Sequence, residues 1–392
     1  MKRTTCSACG HTDLDEFLDL GQSPIADAYT TTPDEVSPTY PLQVAVCAKC
    51  RLVQLLEVLD GQTLFGTGYS FYSSASPPLS AYHTAYARDV LARHTGLVQR
   101  GVVEVGCNDG DLLRHFAGFP AIGVDPAEGP ASVARDRGLN VEVRPFGLAA
   151  AHDIRDRRGR QGLIVANHVL AHVEDVADVL AGISALLADD GVAMVEVQYL
   201  PDLLVNNAFD LVYHEHRNFF SLTSLEQAAL RHGLNIVDAE LTDRQGGSLR
   251  VTIAKHPRPN QTVDRLRASE TWLDSFCAYE GMQGRAERIR DRLCDLVTAQ
   301  PGITAVYGAP AKATTLLNFC ELTAADLSWC VDSTGAKQGR HIPGTGIPIV
   351  TPGFMGAATY VLASWNYAST IMHRNPHKQW IVPLPAPIVL AS

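Results

Sequence analysis

The sequence lacks the features that would place the chain in a membrane or on nucleic acid. It has no run of about 18 or more apolar residues, and no apolar stretch follows the basic residues in its opening MKRTTCSACG. We therefore expect neither a membrane span nor a signal peptide. There is no excess of basic charge either: the formal net charge is -10, which argues against the basic face that nucleic-acid binders need. We expect a cytoplasmic protein without membrane or nucleic-acid partners.

What the sequence does contain indicates a folded chain of several domains. At 392 residues it is too long for one ordinary domain, and 46% hydrophobic with 19% charged residues is typical of a globular protein. The motifs described below divide it into three units, which we place at residues 1–65, 66–256 and 257–392. We expect the chain to be a monomer.

Four cysteines near the amino terminus form two C-x-x-C pairs, Cys6 with Cys9 and Cys47 with Cys50. Two such pairs hold four thiolates tetrahedrally around zinc, and a closed site of this kind leaves no position open for substrate. The spacing therefore predicts a structural zinc. Paired redox cysteines, or cysteines without a shared role, remain the alternatives.

The middle of the chain alternates strands with helices. After a helix at about residues 79–94, GVVEVGCNDGDLL predicts a strand, a glycine turn and a helix that begins at about Asp109, and AIGVDP predicts the next strand. The alternation is typical of a doubly wound sheet whose ligand lies at the carboxyl ends of the strands. LNIVDAEL and GGSLRVTIAK predict an antiparallel pair at one edge. The glycine turn, Gly106 to Gly110, does not match the dinucleotide-binding motif G-x-G-x-x-G. Together with Glu104 before it and Asp125 after it, the turn resembles the S-adenosylmethionine site of class I methyltransferases. A Rossmann-like sheet that binds NAD, or nothing, is the alternative.

The carboxyl-terminal third predicts a long amphipathic helix over about residues 264–298, followed by a second, smaller α/β unit. Its first strand leads into the turn Gly308 to Lys312 and a helix start. Free backbone N–H groups there, with the charge of Lys312, would suit a diphosphate. A later glycine-rich loop, KQGRHIPGTG, offers further basic side chains. Ordinary solvated charges on a surface loop are the alternative.

The segment YHEHR, Tyr213 to Arg217, concentrates polar groups and raises the question of a metal site, an acid/base centre or a surface turn. A third metal ligand on a nearby strand is not identifiable. After the paired cysteines the chain contains, in this order, the motifs EVGCNDGDLL, GVDP, NHVLAHVEDV, YHEH, GGSLR and YGAPAKATTLLNFC. With these motifs in this order it resembles the three-domain sugar C-methyltransferases, which act on nucleotide-linked 4-keto-deoxysugars in antibiotic biosynthesis. The resemblance covers nearly the whole chain.

That resemblance implies zinc in the first domain, S-adenosylmethionine in the middle one and a sugar nucleotide, most simply a dTDP-sugar methylated at C-3, held partly by the last. It implies a catalytic set of His216, Tyr213, His214, Glu215 and Tyr72, with His216 as the general base and Tyr72 near the sugar. The implied cofactor-binding set is Glu104, Gly106, Asn108, Gly110, Asp125, Asn167 and His168, and the substrate-binding set is Lys312, Thr314, Thr315, Asp332, Lys337, Arg340 and His341. One departure is Pro310, where a serine is expected.

The chemistry agrees with these roles. Methylating a carbon next to a ketone needs a base for its hydrogen and a donor for the enolate oxygen. Histidine titrates near neutral pH, so His216 suits the first task; Tyr213 and His214 suit the second, and Glu215 could orient a neighbouring imidazole. In an extended segment His214 and His216 would share a face, so His214 is the competing base. Two other functions remain open: an NAD-dependent oxidoreductase or epimerase of sugar nucleotides, and a non-catalytic zinc-ribbon scaffold.

Overall fold

A computed structural model describes residues 2–65, 71–243, 246–258, 260–354 and 356–391. The predicted boundary at residue 66 lies outside these ranges. In the described part, none of the helices combines the length and the apolar character that crossing a bilayer requires.

The amino-terminal unit is built on a small antiparallel sheet. Its elements are β1 (Leu14–Pro24), β2 (Thr39–Cys47), β3 (Val53–Leu55) and the short helix α1 (Gly61–Phe65). The sheet order is β1-β2-β3, and a fourth strand from far along the chain, β9 (Asn218–Phe219), pairs antiparallel with β3. Val53 lies opposite Phe219 and Gln54 opposite Asn218. The strand that follows YHEHR therefore belongs to the amino-terminal sheet.

The middle unit is a seven-stranded sheet with helices on both faces. Its elements are α2 (Pro77–Val98), β4 (Val102–Val105), β5 (Ala121–Asp125), α3 (Glu128–Asp136), β6 (Val141–Val143), α4 (Leu148–Arg158), β7 (Gln161–Asn167), α5 (Val176–Leu186), β8 (Leu187–Gln198), α6 (Leu200–Val205), α7 (Leu222–Leu230), β10 (Asn235–Thr242) and β11 (Ser248–Ala254). The order is β10-β11-β8-β7-β4-β5-β6, with β11 antiparallel to both neighbours. This is the sheet of the class I methyltransferase fold, so the predicted fold class and edge pair are confirmed.

The carboxyl-terminal unit is a second Rossmann-like sheet. Its elements are α8 (Gln261–Ser269), α9 (Met282–Thr298), β12 (Thr304–Tyr307), α10 (Ala311–Phe319), β13 (Cys330–Val331), β14 (Ile349–Val350), β15 (Thr359–Leu362), α11 (Ala368–Arg374), β16 (Gln379–Val382) and β17 (Ile388–Ala391). The order is β14-β13-β12-β15-β16-β17, all parallel except β17. Its helices α9 and α10 share one hydrophobic core with the amino-terminal sheet.

Two helix predictions are wrong. The single helix over 264–298 is two helices, because the chain between α8 and α9 forms two 3₁₀ segments separated by the extended Ser275, and Gly281 before α9 has φ of +74°. The Glu270 carboxylate at the end of α8 accepts the N–H groups of Leu222 and Thr223 at 2.8 Å, which caps α7. The helix expected at Asp109 is a turn followed by a 3₁₀ segment, Leu113–Phe116. The carboxylates of Asp109 and Asp111 bind residues 74 to 83 instead of starting a helix.

Candidate active site

The four paired cysteines meet at one point. Their sulfur atoms all lie within 4.8 Å of one another, with Cys6 to Cys50 at 3.5 Å and Cys9 to Cys47 at 3.6 Å. The hydrogen bond with Cys47 raises the pKa of Cys6 above its ordinary value, so its thiolate form is costly without a cation. A dication removes that cost by binding all the sulfurs as thiolates, and the set matches the closed tetrahedral site that zinc prefers. The donor set therefore fits the predicted structural zinc.

The cysteine site is packed against the middle unit. Cys6, Cys47 and Cys50 share a hydrophobic cluster with residues of the seven-stranded sheet and of α5 and α7. The carbonyl of Ser7 accepts the N–H of Ala177 in α5 at 3.0 Å, and the Ser7 hydroxyl donates to Asn218 in β9 at 2.8 Å. The cysteine site thus helps to hold β9, the strand that follows YHEH. We therefore expect loss of the metal to affect the middle unit as well as the amino-terminal unit.

The glycine turn after β4 is held by the acid at the end of β5. The Asp125 carboxylate accepts the N–H of Asn108 and the N–H of Ala127, both at 2.8 Å. Gly106 and Gly110 have φ of +68° and +77°, the left-handed region that favours glycine. A Cβ at Gly106 would also lie 2.5 Å from Val169. The turn therefore brings backbone close to whatever lies at the carboxyl ends of β4 and β5.

Two buried polar groups at these strand ends fit S-adenosylmethionine. Glu104 is buried, and its Oε2 has no hydrogen-bond partner among the described residues; the same is true of the side-chain oxygen of Asn167 at the end of β7. Burial, with the nearby charge of Asp125, raises the pKa of Glu104 well above its ordinary value. A ligand that carries positive charge and hydrogen-bond donors would satisfy these groups.

Tyr72 lies on the cofactor side in this structure. The segment that precedes α2 is fastened to the glycine turn: Asn108 accepts the N–H of Ser73 at 2.9 Å and donates to the carbonyl of Phe71 at 3.1 Å. The Tyr72 hydroxyl lies 3.1 Å from where a Cβ on Gly129 would be, at the start of α3. None of the recorded contacts of the described residues brings Tyr72 to the YHEH segment.

YHEH is a turn and not an extended segment. The N–H of His216 donates to the carbonyl of Tyr213 at 2.8 Å, which closes the turn. Tyr213 and His216 therefore stack, with ring centroids 4.0 Å apart, and the Tyr213 hydroxyl lies 2.8 Å from Nε2 of His216. Nδ1 of His216 lies 2.9 Å from the carbonyl of Leu211 and donates to it, so Nε2 carries the lone pair and accepts the Tyr213 hydroxyl.

His214 and Glu215 point away from His216. Nε2 of His214 lies 3.3 Å from the carbonyl of Pro41, and its ring packs on Tyr40 of the amino-terminal unit. The Glu215 carboxylate accepts the N–H of Asp27 at 3.4 Å. Burial, with the nearby charge of Asp27, raises the pKa of Glu215 to about 8, so it is largely protonated at neutral pH. The structure therefore places His214, the expected oxyanion donor and competing base, against Pro41, and the carboxylate of Glu215, expected to orient an imidazole, against Asp27.

Sequence reasoning missed His172. Its ring lies 5.0 Å from that of His216, centroid to centroid, and its Nδ1 lies 2.6 Å from the carbonyl of Glu215, to which it donates. Burial lowers the pKa of His172 to about 4 and the pKa of His216 well below its ordinary value. Both rings are therefore neutral at pH 7. The only signal for His172 in the sequence was its place in NHVLAH, after a strand end.

A buried ion cluster surrounds His168. Nε2 of His168 lies 3.1 Å from the carboxylate of Glu196, and Arg250 binds the same carboxylate through two nitrogens at 2.8 Å. Tyr82 of α2 donates to Glu196, and the guanidinium of Arg250 lies over the rings of Tyr82 and Tyr86. The cluster holds α2 on the sheet next to the end of β7.

The residues predicted to bind substrate divide into two groups. Lys312 lies against Asn366 at 2.8 Å, with its ammonium 4.0 Å from the Trp365 ring, and Lys337 donates to the carbonyl of Ala309 at 2.7 Å. Both ammonium groups bind neutral oxygens, and the nearby charge of the buried Asp210 acts on Lys312. Burial lowers the pKa of Lys312 to about 8, and a bound anion would raise it again.

The other predicted substrate residues hold the units together. The hydroxyls of Thr314 and Thr315 donate to the carbonyls of Ala26 and Val212, both at 2.9 Å, and both side chains are buried. The backbone of His341 pairs with Thr30, and Arg340 reaches the carbonyl of Tyr29 at 3.5 Å.

Asp332 occupies the turn that was predicted to cradle a diphosphate. Its carboxylate accepts the N–H of Ala309 at 2.7 Å and that of Thr334 at 2.7 Å. The donor from Ala309 is thus taken by an acid of the chain itself. This differs from the free backbone donors that we predicted at the turn.

Comparison with known proteins identifies the parts. Residues 6–65 match a family model described as "Putative zinc binding domain", residues 81–239 one described as "Methyltransferase domain", and residues 243–385 one described as "C-methyltransferase C-terminal domain". The C-methyltransferase NovU of Streptomyces niveus is 36% identical over 408 residues, which covers 99% of this chain and 97% of that protein. A ubiquinone biosynthesis O-methyltransferase of Azorhizobium caulinodans is 30% identical over 28% of this chain and 48% of its own length.

Among solved structures, magnesium protoporphyrin IX methyltransferase from Synechocystis PCC 6803 with bound SAH is 15% identical, with a TM-score of 0.36 over 45% of this chain and 83% of that chain. The O-methyltransferase NcsB1 from neocarzinostatin biosynthesis, in complex with S-adenosylmethionine, is 23% identical, with a TM-score of 0.31 over 46% of this chain and 59% of that chain.

The near full-length match to NovU, with the three family models in the same order as the three units, decides among the functions left open by the sequence. It sets aside the NAD-dependent oxidoreductase and the non-catalytic scaffold. The cysteine cluster and the glycine turn agree with zinc and S-adenosylmethionine as the bound groups. The chain belongs to the family of S-adenosylmethionine-dependent C-methyltransferases.

Proposed function

We propose that this C-methyltransferase acts on a nucleotide-linked 4-keto-deoxysugar, takes a proton from the carbon beside the ketone, C-3 in the simplest case, and methylates that carbon. The observation that carries the proposal is the state of His216: Nδ1 donates to the carbonyl of Leu211, so Nε2 is the unprotonated nitrogen, and it accepts the hydroxyl of Tyr213. A neutral imidazole with one defined lone pair is what deprotonation of a carbon acid requires.

In this proposal His216 is the general base and Tyr213 is the hydrogen-bond donor to the enolate oxygen. The α-hydrogen of the substrate approaches Nε2 of His216 and displaces the Tyr213 hydroxyl, which turns to the ketone oxygen and donates to the enolate as charge develops there. His216, at 8% exposure, is shielded from water that would compete for its lone pair. When bound, S-adenosylmethionine supplies a methyl group on a positively charged sulfur. Glu104, Asn108, Asp125 and Asn167 are the residues that would hold it, with Gly106, Gly110 and His168 shaping the site.

The sugar-nucleotide part of the proposal is supported by the charges of the carboxyl-terminal unit. Lys312 and Lys337 flank the turn at Ala309 and their ammonium groups bind neutral oxygens, while the buried carboxylate of Asp210 is the acid whose charge acts on Lys312. A diphosphate is the group that needs two such cations on an otherwise acidic protein. The predicted unit boundaries at residues 65 and 256 remain part of this proposal.

The experiment is product analysis with candidate substrates. Purified protein is incubated with S-adenosylmethionine and a series of 4-keto-sugar nucleotides, and products are identified by mass spectrometry. The expected product is heavier by one methyl group and has lost deuterium from a labelled α-carbon. Methyl transfer to oxygen, or transfer to a ketone that lacks the nucleotide as fast as to the nucleotide sugar, would contradict the proposal.

Asp125→Ala is expected to weaken S-adenosylmethionine binding by about 1.5–3 kcal/mol, the range for hydrogen bonds to a charged group. The carboxylate lies at the end of β5 and holds the glycine turn. In this proposal it also accepts the ribose hydroxyls of the cofactor. Calorimetry measures the affinity, and Asp136→Ala, an exposed acid on α3, is the matched control. Equal affinities for Asp125→Ala and the parent would reject this role.

Glu215→Gln is expected to stabilise the protein increasingly as pH rises from about 4.5 to about 8, because the buried carboxyl of the parent has a raised pKa. The folded parent binds a proton in this range that the unfolded chain has lost, so its stability falls with pH, whereas glutamine is unaffected. The measurement is the difference in Tm between variant and parent at pH 5 and pH 8.5. A difference that stayed constant with pH would show that Glu215 is charged when folded.

A further inference from the structure

Gln198 is a buried glutamine at the carboxyl end of β8. It is 6% exposed, and its Oε1 has no hydrogen-bond partner among the described residues. A buried acceptor without a donor costs free energy, so native structures pair such atoms with a side chain, an ordered water or a ligand. In doubly wound sheets ligands lie at the carboxyl ends of the strands. The position of Gln198 therefore favours a ligand as the partner of its amide.

The alternation of β8 shows on which face of the sheet Gln198 lies. Met194 packs in one hydrophobic cluster with residues of α2, and Glu196 accepts the hydroxyl of Tyr82 in α2. Side chains two positions apart in a strand share a face, so Gln198 follows Glu196 on the α2 face. On the neighbouring strand β7, Asn167 pairs with Glu196. Gln198 therefore lies one step beyond a residue of the proposed cofactor site, toward the open ends of the strands.

The other neighbour of Gln198 is the start of β11, which leads to the carboxyl-terminal unit. Gln198 lies opposite Ser248 in the antiparallel ladder. Two residues earlier, Gly246 has φ of +91°, and a Cβ there would lie 3.8 Å from the ring of Trp365. The ammonium of Lys312 lies 4.0 Å from the centroid of the same ring. Direct neighbours therefore connect the end of β8 with a cation of the proposed diphosphate site.

The residues after Gln198 connect the end of β8 with the segment that carries the proposed base. Tyr199 forms a parallel bridge with Phe220, and the N–H of Leu200 donates to the carbonyl of Phe220 at 2.8 Å. Phe220 follows β9, four positions after His216. The end of β8 is thus in contact with the strand of the cofactor site, with the hairpin that reaches the diphosphate site and with the segment of the base.

The unsatisfied atom decides which group of a ligand fits. An amide oxygen needs a donor, and a hydroxyl supplies one, whereas a ketone oxygen and a diphosphate only accept. The ribose hydroxyls of S-adenosylmethionine belong to Asp125 in the proposed function, and Asp125 ends β5, three strands away from β8 in the sheet. The remaining source of a hydroxyl between the cofactor and the diphosphate is the sugar ring that receives the methyl group.

We propose that Oε1 of Gln198 accepts a hydrogen bond from a ring hydroxyl of the acceptor sugar, and that Gln198 thereby selects acceptors that carry this hydroxyl. Gln198 takes no part in bond making or breaking. It fixes the rotation of the ring, so that the α-hydrogen meets His216. This inference rests on the proposed function, because it assigns a residue to the sugar of the proposed substrate.

The test is Gln198→Leu, which keeps a side chain of similar size and removes the amide. kcat/KM is measured with the keto-sugar nucleotide that the parent methylates and with analogues that each lack one ring hydroxyl. The parent is expected to lose about tenfold or more on one of these analogues, because a buried acceptor is then left unpaired. Gln198→Leu should lose a similar factor on the full substrate and show little preference between it and that analogue. Its affinity for S-adenosylmethionine, measured by calorimetry, should stay within about twofold of the parent.

The matched control is Gln161→Leu, a buried glutamine at the opposite, amino end of β7, whose Nε2 donates to the carbonyl of Gly159 at 2.9 Å. It should lower Tm and keep the parental preference among acceptors. A Gln198→Leu enzyme that kept that preference at any rate, or lost affinity for S-adenosylmethionine as strongly as kcat/KM, would overturn the assignment, as would a parent indifferent to every hydroxyl. Should Gln198→Leu fail to fold, Gln198→Ala is judged by the same outcomes. Absence of C-methylation of every keto-sugar nucleotide by the parent would instead overturn the proposed function, and this inference with it.

Discussion

His216→Ala is expected to lower methylation by roughly 100-fold or more, as removal of a positioned general base does. It should equally abolish exchange of the α-hydrogen in deuterated water when S-adenosylhomocysteine replaces the methyl donor, since exchange needs the base but not the transfer. The parent should perform that exchange.

Because burial lowers the pKa of His216, kcat/KM of the parent should decline on the acid side only below pH 6.5, where the imidazole becomes protonated.

The controls for His216→Ala separate the base from its neighbours. Tyr213→Phe removes the hydroxyl next to Nε2 and keeps the stacked ring, so its effect should be milder than that of His216→Ala. His214→Ala removes a side chain that is bonded to the amino-terminal unit, so exchange should survive in the protein that folds. Loss of exchange in His214→Ala, with near-parental activity in His216→Ala, would transfer the role of base to His214.

Loss of zinc is expected to inactivate the enzyme and to destabilise the middle unit as well as the first. Cys47→Ser removes one of the four sulfurs, and binding of a structural zinc contributes directly to folding free energy. We expect one zinc per chain by elemental analysis of the parent, and for Cys47→Ser a lower Tm with loss of methylation. From the sequence alone one would expect the core of the middle unit to survive, but Cys6, Cys47 and Cys50 lie in the same hydrophobic cluster as its sheet.

Cys277→Ser, an exposed cysteine outside the cluster, is the matched control and should retain zinc and activity. Protein purified without chelator that contained no zinc would count against the site itself. A Cys47→Ser protein that lost zinc yet kept parental methylation would show that the first unit does not support the catalytic turn.

Sequence patterns predicted the parts of the fold that depend on local chemistry. The strands β4, β5 and β7 are short apolar runs, and Gly106 and Gly110 lie where the backbone needs positive φ. What the sequence could not show depends on tertiary contacts. Thr314 and Thr315 look like helix-start donors until the carbonyls of two other units are seen next to them.

The neighbours of His216 could not be predicted from the sequence for the same reason. Alternation would place His214 and His216 on one face, but the turn closed by Tyr213 brings positions three apart together. His172 became recognisable as part of the site only when its ring was found next to that of His216, because the two residues are far apart in the chain.

The pairing of β9 with β3 limits where units of this enzyme can be exchanged with those of a relative. An amino-terminal unit exchanged with that of a relative would arrive with three strands of a four-stranded sheet, and its edge would have to recognise a foreign Asn218 and Phe219. Recombination at residue 65 alone therefore separates β9 from the other three strands of its sheet. Chimeras that keep activity should be those in which the segment from α6 to β9 is inherited together with the cysteine pairs.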